Sequence, residues 1–573
     1  MKKSIISILA FCAVIIPASG QTMYDALNFS QNNYYGTAKT QAMGNAVTAL
    51  GGDLGTVGIN PAGSAVAGYS QFTITPGLTV SSVNSSYAPV YGEGGESAFH
   101  NNKARFTMPN LGVSFRLETG RRFGLKSMTM SFVSNGTAQH LFESVSGGNN
   151  NMSTLSGSFA ATANMNADGS GNMMDPNVFK NYADPYRDSY YGWNQLSAYQ
   201  SNMISYTSAD NCYVGVAENI DGKIPGTLHQ MSSRLTTGVK NDMVANLGFN
   251  ISDKFYFGFN LGIPVQRYNY EESFRETPQD PEQFPVSFTT SDGQTVVTNF
   301  KELQYKYAYS ANIDGVYGKF GFIYLPVEGL RVGAAIQTPT LLTITESWRN
   351  NSYTEFADSR FSAEGLTPQG QYRYTLRTPY SANFGLAYVF GTRGLVSVDY
   401  EIADFSVMKF NEINYDNVQF ANPFEVQNTI MKLFNGVQHQ LRIGAEYRLN
   451  PQFTLRAGYV VTTSPELHYT TYVDGQAVTV YAPDYEANWE DFRSCKLLLS
   501  DKSYDYARNV RTVSVGLGYD SGKSFFADAS FRCSMYPVDN FATYAQYYDN
   551  IPSPNVATVR RLMDAALTLG WRF

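Results

Sequence analysis

Cysteine is scarce. Cys12, Cys212, Cys495 and Cys533 are the only four in 573 residues, and their spacing matches no metal-site pattern. The five histidines, His100, His140, His229, His439 and His468, are scattered and form no His-Glu-x-x-His pair. No nucleophile-elbow pattern occurs. Gly522-Lys523-Ser524 resembles the end of a phosphate loop, but Leu517 stands where the first glycine belongs. A net charge of −7 without a basic cluster argues against nucleic-acid binding. These absences lead us to expect no enzyme, no cofactor and no metal. A barrel hydrolase stays open at this point, because its Ser, His and acid would meet only in space. Long apolar runs are also missing. Beyond residue 20 no stretch of about 18 apolar residues could cross a membrane as a helix.

Aromatics and glycine are abundant instead, with 41 Tyr, 37 Phe and 49 Gly. Tyr and Phe suit the interfacial girdles of a membrane barrel, and glycine suits turns and close strand packing. The N-terminus reads as a secretory leader over residues 1–20. Lys2 and Lys3 precede an apolar Ile5 to Ile16, and Ala18-Ser19-Gly20 fits a cleavage site. Cys12 lies inside that leader, so no lipid anchor is expected. Mean hydropathy is only −0.26, as expected when lumen and loops are polar and alternate strand residues alone meet lipid.

The last strand states the pattern most clearly. Met563, Ala565, Leu567, Leu569, Trp571 and Phe573 alternate with Asp564, Ala566, Thr568, Gly570 and Arg572. Successive side chains of a strand point to opposite faces, so one face is greasy and the other polar or small. Similar segments fall at 69–83, 105–119, 123–136, 241–252, 254–274, 303–325, 329–348, 371–390, 394–409, 437–449, 452–463, 509–520, 523–536 and 559–573. Six connections between them are tight and carry turn residues, such as Ser252-Asp253-Lys254, Gly391-Thr392-Arg393 and Asn450-Pro451. The other seven are long, the longest over 137–240. Short periplasmic turns, long external loops and an even strand number predict an all-β, fourteen-stranded antiparallel barrel in a bacterial outer membrane.

The facing follows. Leu441, Ile443, Tyr447, Leu455, Tyr459, Leu567, Leu569 and Trp571 are expected to meet lipid. Arg442, Glu446 and Arg456 must face the lumen, because a charge at mid-bilayer costs roughly 2–4 kcal/mol. Their mixed signs suggest ion pairs filling the periplasmic half. Cys533 falls on an apolar face. Cys212 and Cys495 fall in external stretches, where a disulfide or two unrelated thiols both fit. Loop 137–240 holds a run of aromatics including Tyr190, Tyr191 and Trp193. They read either as ordinary cap packing or as a landing site for an apolar ligand, and both readings stand here.

Residues 21–68 do not read as strands. Small residues run through Ala42 to Ala46 and Ala49 to Asp53, followed by Asn60-Pro61-Ala62-Gly63 just before strand one. Position, motif and strand count together resemble the FadL/TodX family of outer-membrane transporters for fatty acids and other hydrophobic compounds. The motif match covers roughly residues 36–68, and the strand count extends the resemblance to the whole chain. The resemblance implies that 21–68 plugs a narrow barrel spanning 69–573. It also implies passive uptake of a hydrophobic small molecule, with lateral exit into outer-membrane lipid beside a kinked third strand. Asn135 and Gly136 are the matching place for that kink. A monomer is expected. The chain exceeds typical members in its loops, so specific fatty-acid contacts do not carry over. The alternative is a binding or secretion-partner role, or a haem-receptor type, without transport.

Overall fold

The computed structural model describes residues 22–88, 97–165, 173–290, 292–413, 424–473, 475–545 and 553–573. The leader expected over 1–20, with Cys12, lies outside them. Fourteen antiparallel strands close into one barrel. In order they are β1 (Gln71–Ala88), β2 (Ser97–Glu118), β3 (Leu125–Asn150), β4 (Leu228–Ile251), β5 (Phe255–Pro278) and β6 (Thr295–Tyr324). Three strands are interrupted: β7 (Leu330–Gln337, then Leu341–Phe356), β8 (Gly370–Arg377, then Ser381–Val389) and β9 (Gly394–Asp404, then Lys409–Glu412). Pro339 and Pro379 sit in the first two breaks, where a residue without an N–H leaves no ladder donor unpaired. The set ends with β10 (Val437–Arg448), β11 (Phe453–Thr462), β12 (Val510–Asp520), β13 (Phe525–Ala542) and β14 (Asn555–Arg572). Closure is made by β1 on β14, from Gln71 opposite Arg572 to Ala88 opposite Asn555. All fourteen expected segments are present. The turn at Ser252 and Asp253 places both residues at positive φ, 57° and 56°, matching the right-handed twist of the strands it joins.

Several strands run further than expected, and the largest correction concerns the longest connection. The connection read as a loop over 137–240 is shorter, because β3 continues to Asn150 and β4 begins at Leu228. The Ser-, Gly- and Asn-rich stretches on either side pair with each other from Ala138 opposite Lys240 to Asn150 opposite Leu228. Their backbone ladder overrides a polar composition that lacks a lipid-facing stripe.

The outer wall explains this. On β5 the outward residues Phe255, Phe257, Phe259, Leu261, Ile263 and Val265 are apolar, and Arg267, Asn269 and Glu271 above them are polar. The apolar stretch is roughly 33 Å along the strand at about 3.3 Å per residue, which a tilt of about 40° reduces to the hydrocarbon thickness. On β6 the same boundary falls between Asp314 and Val316. The strands therefore continue well beyond the membrane. Above the boundary the inward residues of β6 are Leu303, Tyr305, Tyr307, Tyr309 and Ile313, all buried in the largest apolar cluster. Below it the inward residues include Tyr317, Lys319 and Gly321.

The lipid register holds. Leu441, Ile443, Tyr447, Leu455, Tyr459, Leu567 and Trp571 are exposed on the outer wall, and Leu569 is partly so. Arg442 is buried, and Arg456 and Glu446 face inward. Inside, Arg456 bonds Glu446 at 2.7 Å and Asp528 at 2.5 Å. Arg532 reaches Asp564 at 3.4 Å, and Arg442 pairs with Glu401. Cys533 is half-buried on the outward parity of β13, and Cys212 and Cys495 are free thiols.

Candidate functional site: the lumenal segment and the wall seam

The segment before β1 is almost wholly buried between Tyr34 and Ala67. It contains α1 (Met23–Ser30), α2 (Ala38–Ala42) and α3 (Gly63–Val66). Thr22 caps α1 in a reciprocal box with Asp25. Segments this short cannot hold a helix alone, so the wall holds them.

That wall is a collar of lumen-facing polar side chains that bond the segment's backbone. Asn246 Nδ2 donates to Pro61 O at 2.9 Å, Asn260 Nδ2 to Val57 O at 2.7 Å and Lys319 Nζ to Gly58 O at 2.7 Å. Asp399 Oδ2 accepts the Thr48 N–H at 2.7 Å. Ser514 donates to Ala42 O at 3.0 Å, and Arg532 Nη1 to Tyr34 O at 3.1 Å. Asn60 returns the contact, donating to Thr48 O at 2.7 Å and to Phe322 O on β6 at 3.0 Å, while its own Oδ1 caps Ala62 N–H at 3.1 Å. Pro61 follows it with no N–H to satisfy. Wall glycines bring the backbones together. A Cβ at Gly258 would collide with Pro61, one at Gly321 with Asn60 and one at Gly333 with Thr48. The motif Asn60-Pro61-Ala62-Gly63 thus lies against β4, β5 and β6. Sequence reasoning missed the collar. Its only signal was polar residues and glycines on the lumen parity, which the alternation itself already explained.

The ladder between β2 and β3 is incomplete. β3 pairs with β2 only from Ser127 opposite Glu118 to Asn135 opposite Asn110. Beyond Asn135 the two strands share no ladder, although β3 stays paired to β4 and β2 to β1. A bulge lies between Gly136 and Ala138, and β3 is buried on both faces from Asn135 to Gln139. Asn135 and Gly136 mark the end of the ladder. The freed edge is taken by the N-terminal segment: Asn33 N–H donates to Thr137 O at 2.6 Å, and Tyr35 N–H to Gly136 O at 2.8 Å. Side chains bridge the rest of the seam. Asn110 Nδ2 bonds Asn135 Oδ1 at 2.7 Å, Arg105 Nη2 bonds Gln139 Oε1 at 2.6 Å, and Lys103 meets Glu143 at 3.1 Å.

At the periplasmic mouth two cavities of about 210 and 170 Å³ flank the segment, sharing Lys39, Asp53, Glu446 and Arg448.

On the cap, Tyr190 is 81% exposed and makes no ring contact among the described residues. Tyr191 packs partly buried against the apolar cluster. Trp193 opens α5, which follows α4 (Leu155–Met165) in the cap and covers Trp193–Gln200. Its ring sits 6.0 Å from Trp348 and 6.1 Å from Tyr186. The contacts continue through Phe179, Tyr199 and Tyr213 to Tyr206, forming one connected row of rings. The three predicted aromatics are therefore not one cluster, and only Trp193 belongs to the row.

No protein-family model and no curated protein matches this chain. Solved structures do resemble it. A FadL homologue of Pseudomonas aeruginosa is 12% identical with TM-score 0.44, over 95% of this chain and 99% of that one. The toluene transporter TodX of P. putida is 12% identical with TM-score 0.43, over 94% and 98%. The toluene transporter TbuX of Ralstonia pickettii is 14% identical with TM-score 0.41, over 96% and 100%. At these values the likeness adds nothing to what the ladders establish. The chain is a plain case of a transmembrane β-barrel. Its apolar outer band, lying on a closed wall, is the surface of a barrel that crosses a membrane on its strands.

Proposed function

We propose that this barrel takes up hydrophobic small molecules by passive diffusion, with residues 21–68 as its plug and the β2–β3 seam as a lateral exit into the membrane. The leader over 1–20 would be removed on export. The observation that carries this reading is the seam. A closed barrel normally has no free strand edge, because unpaired N–H and C=O groups are costly in lipid. Here the edge of β3 leaves β2 beyond Asn135 and is covered by Asn33 and Tyr35 of the same chain. A hydrophobe landing on the aromatic row at Trp193 would descend inside the wall and leave where Asn33 to Tyr35 give way. No metal or nucleotide is needed, because the concentration gradient drives the passage.

A disulfide between Asn33→Cys and Thr137→Cys tests the exit. Oxidation should stop uptake of a fluorescent long-chain hydrophobe in whole cells, and reduction should restore it. Uptake that is equal in both states would remove the seam from the route. If the wild type neither binds nor carries any hydrophobe yet retains a secretion partner, the binding-partner role replaces transport.

A further inference from the structure

Three neighbouring strands break side by side in the wall, and each break changes which residues face out. On β7, β8 and β9 the outward residues below the breaks are even-numbered, among them Ile336, Phe384, Leu386, Val398 and Tyr400. Above the breaks they are odd-numbered: Leu341 on β7, Arg373 and Arg377 on β8, and Lys409 on β9. The switch turns Leu342, Tyr374, Leu376 and Phe410 into the largest apolar cluster and leaves three cations on the outer wall. Arg377 stands directly opposite Lys409 in the ladder, and Thr375 opposite Asn411.

Like charges directly opposite each other in a ladder repel, because their Cβ atoms lie only about 4.5–5.5 Å apart. None of the three cations has a hydrogen-bond or ion-pair partner among the described residues. The acids nearby do not supply one. Asp404 is held by the Ser406 N–H at 3.0 Å and by its hydroxyl at 2.7 Å. Glu412 faces inward, where it accepts the Tyr372 hydroxyl at 3.4 Å. Asp314 lies on β6, with β7 in between. Lys409 is nonetheless fixed in place. Among the described residues the short upper piece of β9 pairs with β8 alone. Its other edge is met by α6 (Glu425–Phe434), whose Asn428 accepts the Phe410 N–H at 2.8 Å and donates to Phe410 O at 3.0 Å.

Their place on the wall says what these charges meet. Arg377 is the first outward charge on β8 above the apolar run of Leu386, Phe384 and Tyr380. Lys409 follows the turn that ends the run of Val398, Tyr400 and Ile402 on β9. Exposed Tyr380 and Tyr400 sit just below, as aromatic residues do at the edge of the hydrocarbon. The cations therefore stand at the level of lipid head groups, at the end of the barrel away from the short turns. A guanidinium offers a phosphate two parallel N–H bonds, and the facing ammonium adds a third. We infer that Arg377 and Lys409, with Arg373 extending the positive charge up β8, form a docking site for the phosphate-bearing head of an outer-leaflet lipid.

Titration of the full-length protein, immobilised in neutral detergent, tests this, with labelled diphosphoryl lipid A and its dephosphorylated form as probes. The wild type should bind the phosphorylated lipid about tenfold tighter, the worth of one charge-assisted hydrogen bond. Arg377→Gln with Lys409→Gln should remove that preference while the dephosphorylated lipid binds as before, which also shows that the wall is intact. Arg349→Gln, an exposed arginine higher on β7, should leave the preference unchanged. An equal loss there would reduce the effect to unspecific charge and overturn the site. A large excess of inorganic phosphate should not displace the lipid, and displacement would assign the cations to free phosphate and overturn the lipid reading. Equal binding of the two lipids by the wild type, or binding of neither, overturns the proposal.

Discussion

The same strand obeys opposite rules in its two halves. Below Asp314, β6 turns Val316, Phe320 and Phe322 outward and Lys319 and Gly321 inward. Above it, Lys306, Asn312 and Asp314 face out and Tyr305, Tyr307, Tyr309 and Ile313 face in. The backbone is one ladder throughout, so the difference lies in the solvent. Lipid surrounds the lower half, and apolar residues gain nothing by leaving it. Water surrounds the upper half, and there the ordinary hydrophobic effect fills the interior. The two interiors consequently hold their contents differently. The lower one grips the N-terminal segment by hydrogen bonds from a polar collar. The upper one packs the cap by aromatic contact.

The largest expected effect breaks the lower grip. Gly321→Val puts a methyl group into Asn60 and should displace the plug. Entry of small hydrophilic sugars into proteoliposomes should rise severalfold, whereas unchanged permeability would mean that residues 34–67 do not seal the lumen. Next comes the solvent rule itself. Leu261→Arg, on the outer wall in the lipid band, should cost about 2–4 kcal/mol of folding stability in vesicles. Asn269→Arg, on the same face of the same strand above the band, should cost less than about 0.5 kcal/mol. Similar costs at the two sites would erase the boundary.

A pH contrast should be confined to the cap. Glu218 lies in the 151–227 connection, and burial pushes its carboxyl up to about 7 against a single donor, the Gly215 N–H at 3.1 Å. A carboxyl whose pKa is raised by folding binds its proton more tightly folded than unfolded. Its protonated form is thus favoured between the unfolded value of about 4.5 and 7, and stability falls as pH rises through that window. Hydrogen exchange of the cap should be slower at pH 5 than at pH 8, by about 2 kcal/mol of opening energy after allowance for partial exposure. Glu218→Gln should flatten the difference, and collar amides should show none of it. The smallest effect is the sharpest on the cap. Trp193→Ala should weaken binding of a fluorescent long-chain ligand by about 1–3 kcal/mol, from its lost area. Tyr190→Ala should change little, because that ring touches no other among the described residues. The reverse order would move the landing site off the aromatic row.

The alternation of Leu441, Arg442, Ile443 and Tyr447 determined by itself which face meets lipid, since a charged residue in hydrocarbon allows no other register. Turn residues such as Ser252-Asp253 and the paired arrangement of short and long connections likewise determined the strand count and the periplasmic side. These are local properties, carried by period two and by backbone angles. The upper extensions of β3 and β4 were not legible, because strands standing in water need no lipid stripe and Ser, Gly and Asn there look like loop. The collar was invisible for another reason. Asn246, Asn260, Lys319 and Asp399 sit far apart in the chain, and a polar residue facing the lumen looks the same whether it meets water or a backbone carbonyl. Only closure of the barrel around residues 34–67 decided which it was. The seam is tertiary as well: Gly136 by sequence is a flexible residue in a strand, and the loss of its β2 partner and the entry of Tyr35 arise only once the wall has formed around the N-terminal segment.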